Sequence, residues 1–137
     1  MTVVSNTSEA LNSPYTNALE HMLAETRAHA LDSSVKEIDR LAIAHDASHY
    51  LLVPAGIVRP DSAEAVADIF RAASDFNLPL TFRSGGTSLS GQASGDGVMV
   101  DTRRNFKKIE VLDGGKRVRV QPGATVMAVN NMLAPYG

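Results

Sequence analysis

The chain has 137 residues, 44% of them hydrophobic, with a formal net charge of -2. That length suits one domain with a modest core, and the mixed charges lack the basic stripe of a nucleic-acid binder. With no cysteine present, disulfides, a redox-active thiol, cysteine-ligated zinc and a cysteine-held iron–sulfur cluster are excluded for this segment.

Met1 to Pro14 is rich in Ser, Thr and Asn and lacks the basic-then-apolar pattern of a secretory signal, so it reads as a flexible terminus. No apolar run approaches the ~20 residues of a membrane-spanning helix. A cytoplasmic location is expected, or one peripheral to the inner face of the membrane in the intact protein. Leu19, Met22, Leu23, Ala30 and Leu31 fall on helical spacing between Tyr15 and Leu31, with His21 and His29 on the polar side. A second short helix is predicted within Val35 to Ser48, around Ile38, Leu41, Ala42 and Ile43, followed by extended chain from Tyr50 to Pro54. His45 and His49 stand four residues apart with Asp46 between them, a spacing that on a helix can share an ion. No third strong ligand stands nearby, and no metal site is expected.

Gly56-Ile57-Val58 reads as a short buried strand closed by Pro60. Asp61 and Glu64 have the spacing of a capping box. Val66, Ile69, Phe70 and Ala73 then form a helical stripe, which should end near Asn77 because Pro79 biases Leu78 away from helical angles. Pro79 to Phe82 is the next strand, which predicts a βαβ unit with parallel strands. Val98 to Asp101 is another buried strand. Ile109–Leu112 and Arg117–Gln121 flank Asp113-Gly114-Gly115 as a hairpin. A last helix is predicted from Thr125 to Leu133, with Met127 and Met132 as core packing. The chain then stops without a closing element, which suggests a fragment of a longer protein. Arg103, Arg104, Lys107 and Lys108 form a basic cluster, either a phosphate attractor or a solvated turn.

Between Phe82 and Val98 lies a loop holding Gly85, Gly86, Gly91, Gly95 and Gly97 among Ser84, Thr87, Ser88, Ser90 and Ser94. A structureless stretch of this length is unusual in a compact domain unless it has a job. Consecutive glycines let an anion approach the main chain, and successive amides can form a concave nest for phosphate oxygens. The hydroxyls of Ser84, Thr87 and Ser88 can add donors. Gly86 and Gly91 have the gap of a Walker A loop, but Gln92-Ala93 stands where Lys-Ser/Thr is required. Gly95-Asp96-Gly97 is followed by Val100 where the dinucleotide pattern needs glycine. Composition alone leaves two readings open, an anion nest and a flexible surface loop.

The order of features is more specific. Asp46-Ala47-Ser48, Pro54, Ile57-Val58-x-Pro60, Pro79-Leu80, Arg83-Ser84-Gly85-Gly86-Thr87-Ser88-x-x-Gly91-Gln92, Val98-x-Val100-Asp101 and Val120-Gln121-Pro122-Gly123 together resemble one family. It is the p-cresol methylhydroxylase / vanillyl-alcohol oxidase type of FAD-linked oxidases, in the branch of D-lactate dehydrogenase, glycolate oxidase and D-2-hydroxyglutarate dehydrogenase. The likeness runs from about His45 to Gly137.

The resemblance implies an α/β fold, with a small, mainly parallel three-stranded sheet, flanking helices and a β-hairpin, as the first lobe of a two-lobed FAD-binding domain. It divides the chain into a flexible terminus (1–14), a helical extension (15–44) and the lobe (45–137). It assigns Arg83, Ser84, Gly85, Gly86, Thr87 and Ser88 to the FAD pyrophosphate, Gly91 and Gln92 to the end of that turn, Pro54 to the adenine, and Gln121, Pro122 and Gly123 to the cofactor's flank. Some relatives have a histidine at the position of Thr87, bonded covalently to the flavin, so threonine here implies noncovalent FAD. The implied activity of the intact protein is oxidation of a D-2-hydroxy acid to the 2-oxo acid. The substrate would meet a further C-terminal domain, so the fragment alone should be inactive and carry no catalytic residue. An enolpyruvyl-sugar reductase sharing the lobe, and a non-enzymatic phosphate-binding module, are the alternatives. On this reading Gly86→Val should remove flavin without unfolding the domain.

Overall fold

The computed structural model describes residues 13–25 and 32–137. Residues 1–12 of the terminus expected to be flexible (1–14), and the part of the first predicted helix that carries His29, Ala30 and Leu31, lie outside the described residues. In chain order the elements are α1 (Thr16–Glu25), β1 (Asp32–Ser34), α2 (Glu37–Ala42), β2 (Gly56–Arg59), α3 (Ala63–Asp75), β3 (Leu80–Arg83), β4 (Val98–Asp101), β5 (Ile109–Leu112), β6 (Arg117–Val120) and α4 (Val126–Leu133). The first four strands form one sheet in the order β1-β2-β4-β3, and β5 and β6 form an antiparallel pair.

The three expected strands are parallel, with β4 between β2 and β3. A fourth strand, β1, adds an antiparallel edge, its Asp32, Ser33 and Ser34 facing Arg59, Val58 and Ile57. The sequence expectation of three strands is thus one short. Asp and Ser have little preference for strands, so nothing in Asp-Ser-Ser marks it. Ion pairs help to fasten it: Asp32 meets Arg59 at 3.0 Å and Arg104 at 2.8 Å.

β2 and β4 sit inside the sheet and are apolar almost throughout, the pattern of parallel strands covered on both faces. Val58, Val98 and Val100 join Leu19 and Met22 of α1 and Ile69, Ala72 and Ala73 of α3 in one buried cluster. Ile57 and Met99 point to the opposite face by strand alternation and are buried as well. Leu19 and Met22 are fully buried, each contributing about 1.5–3 kcal/mol over an exposed position. α1 packs so closely on β2 that a Cβ at Gly56 would stand 2.4 Å from Leu19 Cδ2.

Several helices differ from the pattern reading. α2 is only one and a half turns long, and it buries Arg40 rather than an apolar stripe. Ile38 is 72% exposed, while Arg40 Nε donates to the Pro54 carbonyl at 2.6 Å. α3 is capped by Ser62, whose side chain accepts from the Ala65 amide at 3.2 Å. The expected Asp61–Glu64 capping box is displaced by one residue, and Ala65 at the third helical position has no side-chain acceptor to complete it. The other end is as expected. Asn77 takes φ 52, and the Leu78 amide closes on the Ala73 carbonyl at 2.8 Å, a left-handed helix stop with a buried apolar residue after it. Phe70, expected in the core stripe, is half exposed and stacks on Phe82 with ring centroids 5.4 Å apart. In α4, capped by Thr125, Met127 and Met132 are 72% and 49% exposed. They are not core packing; among the strands, α4 makes its main contacts with β5 of the hairpin.

Replacing Ser62 with Ala should lower unfolding free energy by about 1 kcal/mol, whereas Asp61→Ala should stay within about 0.5 kcal/mol of the parent. Urea denaturation of both variants checks the assignment, and equal losses would return the cap to Asp61.

Candidate functional site

β3 and β4 are adjacent and parallel, so the chain leaving Arg83 must return to the other end of the sheet before β4 begins. The loop from Ser84 to Gly97 is that return. Its length therefore has a topological cause, and its two halves lie at opposite ends of the strands. The far half docks at the strand starts, where the Ala55 amide donates to the carbonyls of Asp96 and Gly97 at 3.0 and 2.8 Å. The near half, Ser84 to Gln92, stays at the carboxyl ends, where open α/β sheets bind ligands.

The near half is fixed from beneath by Arg83. Its Nη1 donates toward three carbonyls, Ile43 at 3.1 Å, His45 at 2.8 Å and Ala93 at 3.2 Å. The guanidinium lies against Gly86, where an added Cβ would come within 2.3 Å of Nη2. Gly86 also takes φ 66, in the left-handed region that costs other residues about 1–2 kcal/mol. Ala93 is held from its other side too, because its amide donates to Asp46 Oδ2 at 3.3 Å. Asp46 is buried, and its Oδ1 accepts from the Ser48 amide at 2.8 Å. Hydrogen bonding from the Ser48 side chain holds the Asp46 carboxyl below the ordinary aspartate range; burial opposes this, and the amides of Ser48 and Ala93 reinforce it.

Above this support the backbone amides of Ser84, Gly85, Gly86, Thr87 and Ser88 donate to no group among the described residues. Consecutive free amides with one residue in the left-handed region make an anion-binding concavity. Gly85 faces open space apart from Thr87, 3.7 Å from where its Cβ would be. Beside it Ala42, Ile43, Arg83, Ser84, Gly85, Asp101 and Arg103 line a cavity of about 160 Å³.

The expected hydroxyl donors are differently occupied. Ser84 Oγ donates to the Pro122 carbonyl at 2.8 Å. Ser88 Oγ donates to Gln92 Oε1 and accepts from the amides of Ser90 and Gln92 at 3.2 and 3.3 Å. Thr87 is exposed, and its hydroxyl has no partner among the described residues. Gly91, at φ 83, lies under the Tyr50 ring. Gln121 and Gly123 hold the hairpin: Gln121 Oε1 accepts from the Lys108 amide at 2.9 Å, and a Cβ at Gly123 would stand 2.6 Å from the Phe106 carbonyl. Pro122 touches the loop through Ser84. Pro54 is buried ahead of β2, at the end of the sheet away from Ser84 and Gly85. His45 and His49 are not on a helix, and no group of three or more metal ligands exists among the described residues. Of the basic cluster, Arg104 pairs with Asp32, and Arg103 lines the cavity.

Sequence and structure comparisons place the chain within an FAD-binding domain. A family model described as FAD binding domain matches residues 54–137. D-2-hydroxyglutarate dehydrogenase of Escherichia coli (strain K12) is 36% identical over 110 residues, covering 77% of this chain and 11% of the relative. Glycolate oxidase subunit GlcD of the same organism is 32% identical over 91 residues, covering 65% of this chain and 18% of that protein. Among solved structures, 6-hydroxy-D-nicotine oxidase from Arthrobacter nicotinovorans superposes with TM-score 0.67 at 29% identity, over 79% of this chain and 24% of that one. Xylooligosaccharide oxidase from Myceliophthora thermophila C1 shares the fold with TM-score 0.69 at 20% identity, over 88% of this chain and 26% of that one. The chain belongs to the FAD-linked oxidases of the p-cresol methylhydroxylase / vanillyl-alcohol oxidase type. It spans about a tenth of the length of its D-2-hydroxyglutarate dehydrogenase relatives.

The expectation that Gly86→Val spares the fold is corrected by the Arg83 guanidinium behind Gly86. Gly86→Ala should destabilise the chain by about 1–2 kcal/mol or more, while Gly85→Ala should stay within about 0.5 kcal/mol; thermal melts of the two variants decide this. The depressed Asp46 pKa gives a second outcome with a definite sign. Its ionised form stabilises the fold above the unfolded-state value and loses that effect as pH falls through the folded value. The Tm advantage of the parent over Asp46→Asn should therefore be flat from about pH 7 to 5 and shrink below the ordinary value of 3.8. A gap that widens on acidification would contradict the assignment.

Proposed function

We propose that the near half of the loop holds the pyrophosphate of FAD, and that the intact protein oxidises a D-2-hydroxy acid to the 2-oxo acid. The run of free amides from Ser84 to Ser88 is the observation that carries the cofactor reading. These residues fit the group: the amides are consecutive donors without a partner among the described residues, the backbone at Gly85 is open to close approach, and Thr87 adds an unpartnered hydroxyl. Phosphate oxygens accept strong, charge-assisted hydrogen bonds from such amides. When bound, FAD supplies a two-electron acceptor, and the protein's part is to bind and orient it.

The substrate class rests on likeness to proteins named D-2-hydroxyglutarate dehydrogenase at 34–36% identity and to a glycolate oxidase subunit. The 2-hydroxy acid is proposed to meet parts of the protein other than this chain. Noncovalent FAD is proposed from Thr87, which has no ring nitrogen to bond the flavin. The glucooligosaccharide oxidase of Acremonium strictum, by contrast, carries a 6-S-cysteinyl, 8α-N1-histidyl FAD on the same fold. A cytoplasmic location is in keeping with the absence of cysteine, and no described helix is long and apolar enough to cross a membrane.

The natural full-length protein should purify yellow, release its flavin on acid denaturation, and reduce a dye acceptor with D-2-hydroxyglutarate or D-lactate but not with the L enantiomers. Gly85→Val should lose flavin while its melting temperature, compared with that of the flavin-free parent, holds. A colourless protein indifferent to added FAD would overturn the cofactor reading; a yellow protein inert towards every D-2-hydroxy acid tried would overturn only the substrate class.

A further inference from the structure

We propose that two arginines at the strand ends have separate roles toward the cofactor: Arg83 is a positioning residue that shapes the amide nest, and Arg103 supplies the positive charge that meets the diphosphate. The proposal rests on the FAD reading above.

Arg83 opens the glycine-rich motif and is the obvious cation for a phosphate, yet its geometry faces inward. Its Nη1 is directed at the carbonyls of Ile43, His45 and Ala93, and the guanidinium packs against the Cα side of Gly86. Arg83 also borders the cavity that Arg103 lines, but a phosphate meeting its Nη1 would have to displace the carbonyls that now solvate that nitrogen. Ala93 receives Arg83 at its carbonyl and Asp46 at its amide, so the two side chains act on one residue from opposite sides. Through that clasp the near half of the loop is tied to the segment from Ile43 to Asp46.

Arg103 stands differently. It follows β4, its amide is anchored on Asp101 Oδ1 at 2.9 Å, and it is exposed, with no side-chain hydrogen bond or ion pair among the described residues. It lines the same cavity as Ser84 and Gly85. The one carboxylate lining that cavity, Asp101, lies 3.7 Å from Arg59 Nε, so Arg103 is not drawn into a pair with it. The neighbouring Arg104 is engaged by Asp32. A guanidinium at this rim has the planar donor fork that matches phosphate oxygens.

The test measures FAD dissociation constants of the deflavinated full-length protein by fluorescence quenching across a salt series. Arg103→Gln should weaken binding about tenfold, equivalent to one charge-assisted hydrogen bond, and flatten the salt dependence; Arg103→Lys should restore most of both. Arg83→Lys and Arg83→Gln should weaken binding alike, with the salt dependence of the parent retained, because neither side chain can set a guanidinium plane against Gly86 while one of its nitrogens reaches the three carbonyls. If the Arg83 variants do not fold, Asp46→Asn carries that half: it should weaken binding at unchanged salt slope and speed hydrogen exchange at the Ala93 amide. The proposal is overturned if Arg83→Lys keeps parental affinity while Arg83→Gln loses it with a flattened slope. It is equally overturned if Arg103→Gln binds FAD as the parent does, or if Asp46→Asn changes neither affinity nor exchange. A parent protein that takes up no FAD refutes the cofactor reading itself, and this division of roles with it.

Discussion

The Arg83 guanidinium sits in a socket walled by the carbonyls of Ile43, His45 and Ala93 and roofed by Gly86. Withdrawing a cation from water is costly unless hydrogen-bond acceptors replace the water, and here backbone oxygens from two separate stretches of chain do so. Beyond one lone bridge, in which the Leu52 amide meets the Ala44 carbonyl at 2.8 Å, neither stretch belongs to a helix or a longer ladder that would satisfy its carbonyls. The arginine thus solves two problems at once. It neutralises the polar backbone of the Ile43–His45 segment, and it fixes the point where the loop turns back across the sheet. Gly86 follows as a steric consequence, since only a residue without a Cβ can lie on the guanidinium at positive φ.

Much of the fold was legible because it depends on local pattern. The α3 stripe, the stop at Asn77, the hairpin at Asp113-Gly114-Gly115 and the apolar β2 and β4 are each encoded by neighbouring residues. The misreadings share a cause: partners distant in sequence overruled local preference. β1 is a strand because β2 offers it a free edge and Arg59 and Arg104 hold Asp32, not because Asp-Ser-Ser favours extension. α2 turns Arg40 inward because the Pro54 carbonyl needs a donor. α4 leaves Met127 and Met132 exposed although it packs on β5.

The site was legible in a different sense. Glycine and serine at Ser84 to Gly91 marked the loop correctly, but composition could not say which donors face outward. Side-chain hydroxyls and backbone amides look equally available in a sequence. In three dimensions Ser84 and Ser88 turn inward to brace the loop, and that bracing leaves the amides free. The length of the loop, read as a sign of function, is also what a parallel β3–β4 connection requires. Arg103 was marked only as one member of a basic cluster with Arg104, Lys107 and Lys108, because its relation to Gly85 arises only when the ends of β3 and β4 are brought side by side.

The kind of phosphate site this makes follows from where its positive charge lies. A Walker loop needs its lysine because charge shifts on a phosphoryl group that is being transferred, and Gln92-Ala93 stands in place of that residue here. Partial charges on fixed amides suit a phosphate that serves as a handle and undergoes no chemistry. Such a handle benefits most from rigidity, since every residue already ordered before binding removes an entropic cost from the complex. The clasp on Ala93, the Ser84–Pro122 contact and the Tyr50 ring over Gly91 all order the near half of the loop before any ligand arrives. On the proposed reading, a loop ordered in this way would hold a dinucleotide by its phosphates and leave the placing of its reactive ring to the rest of the protein.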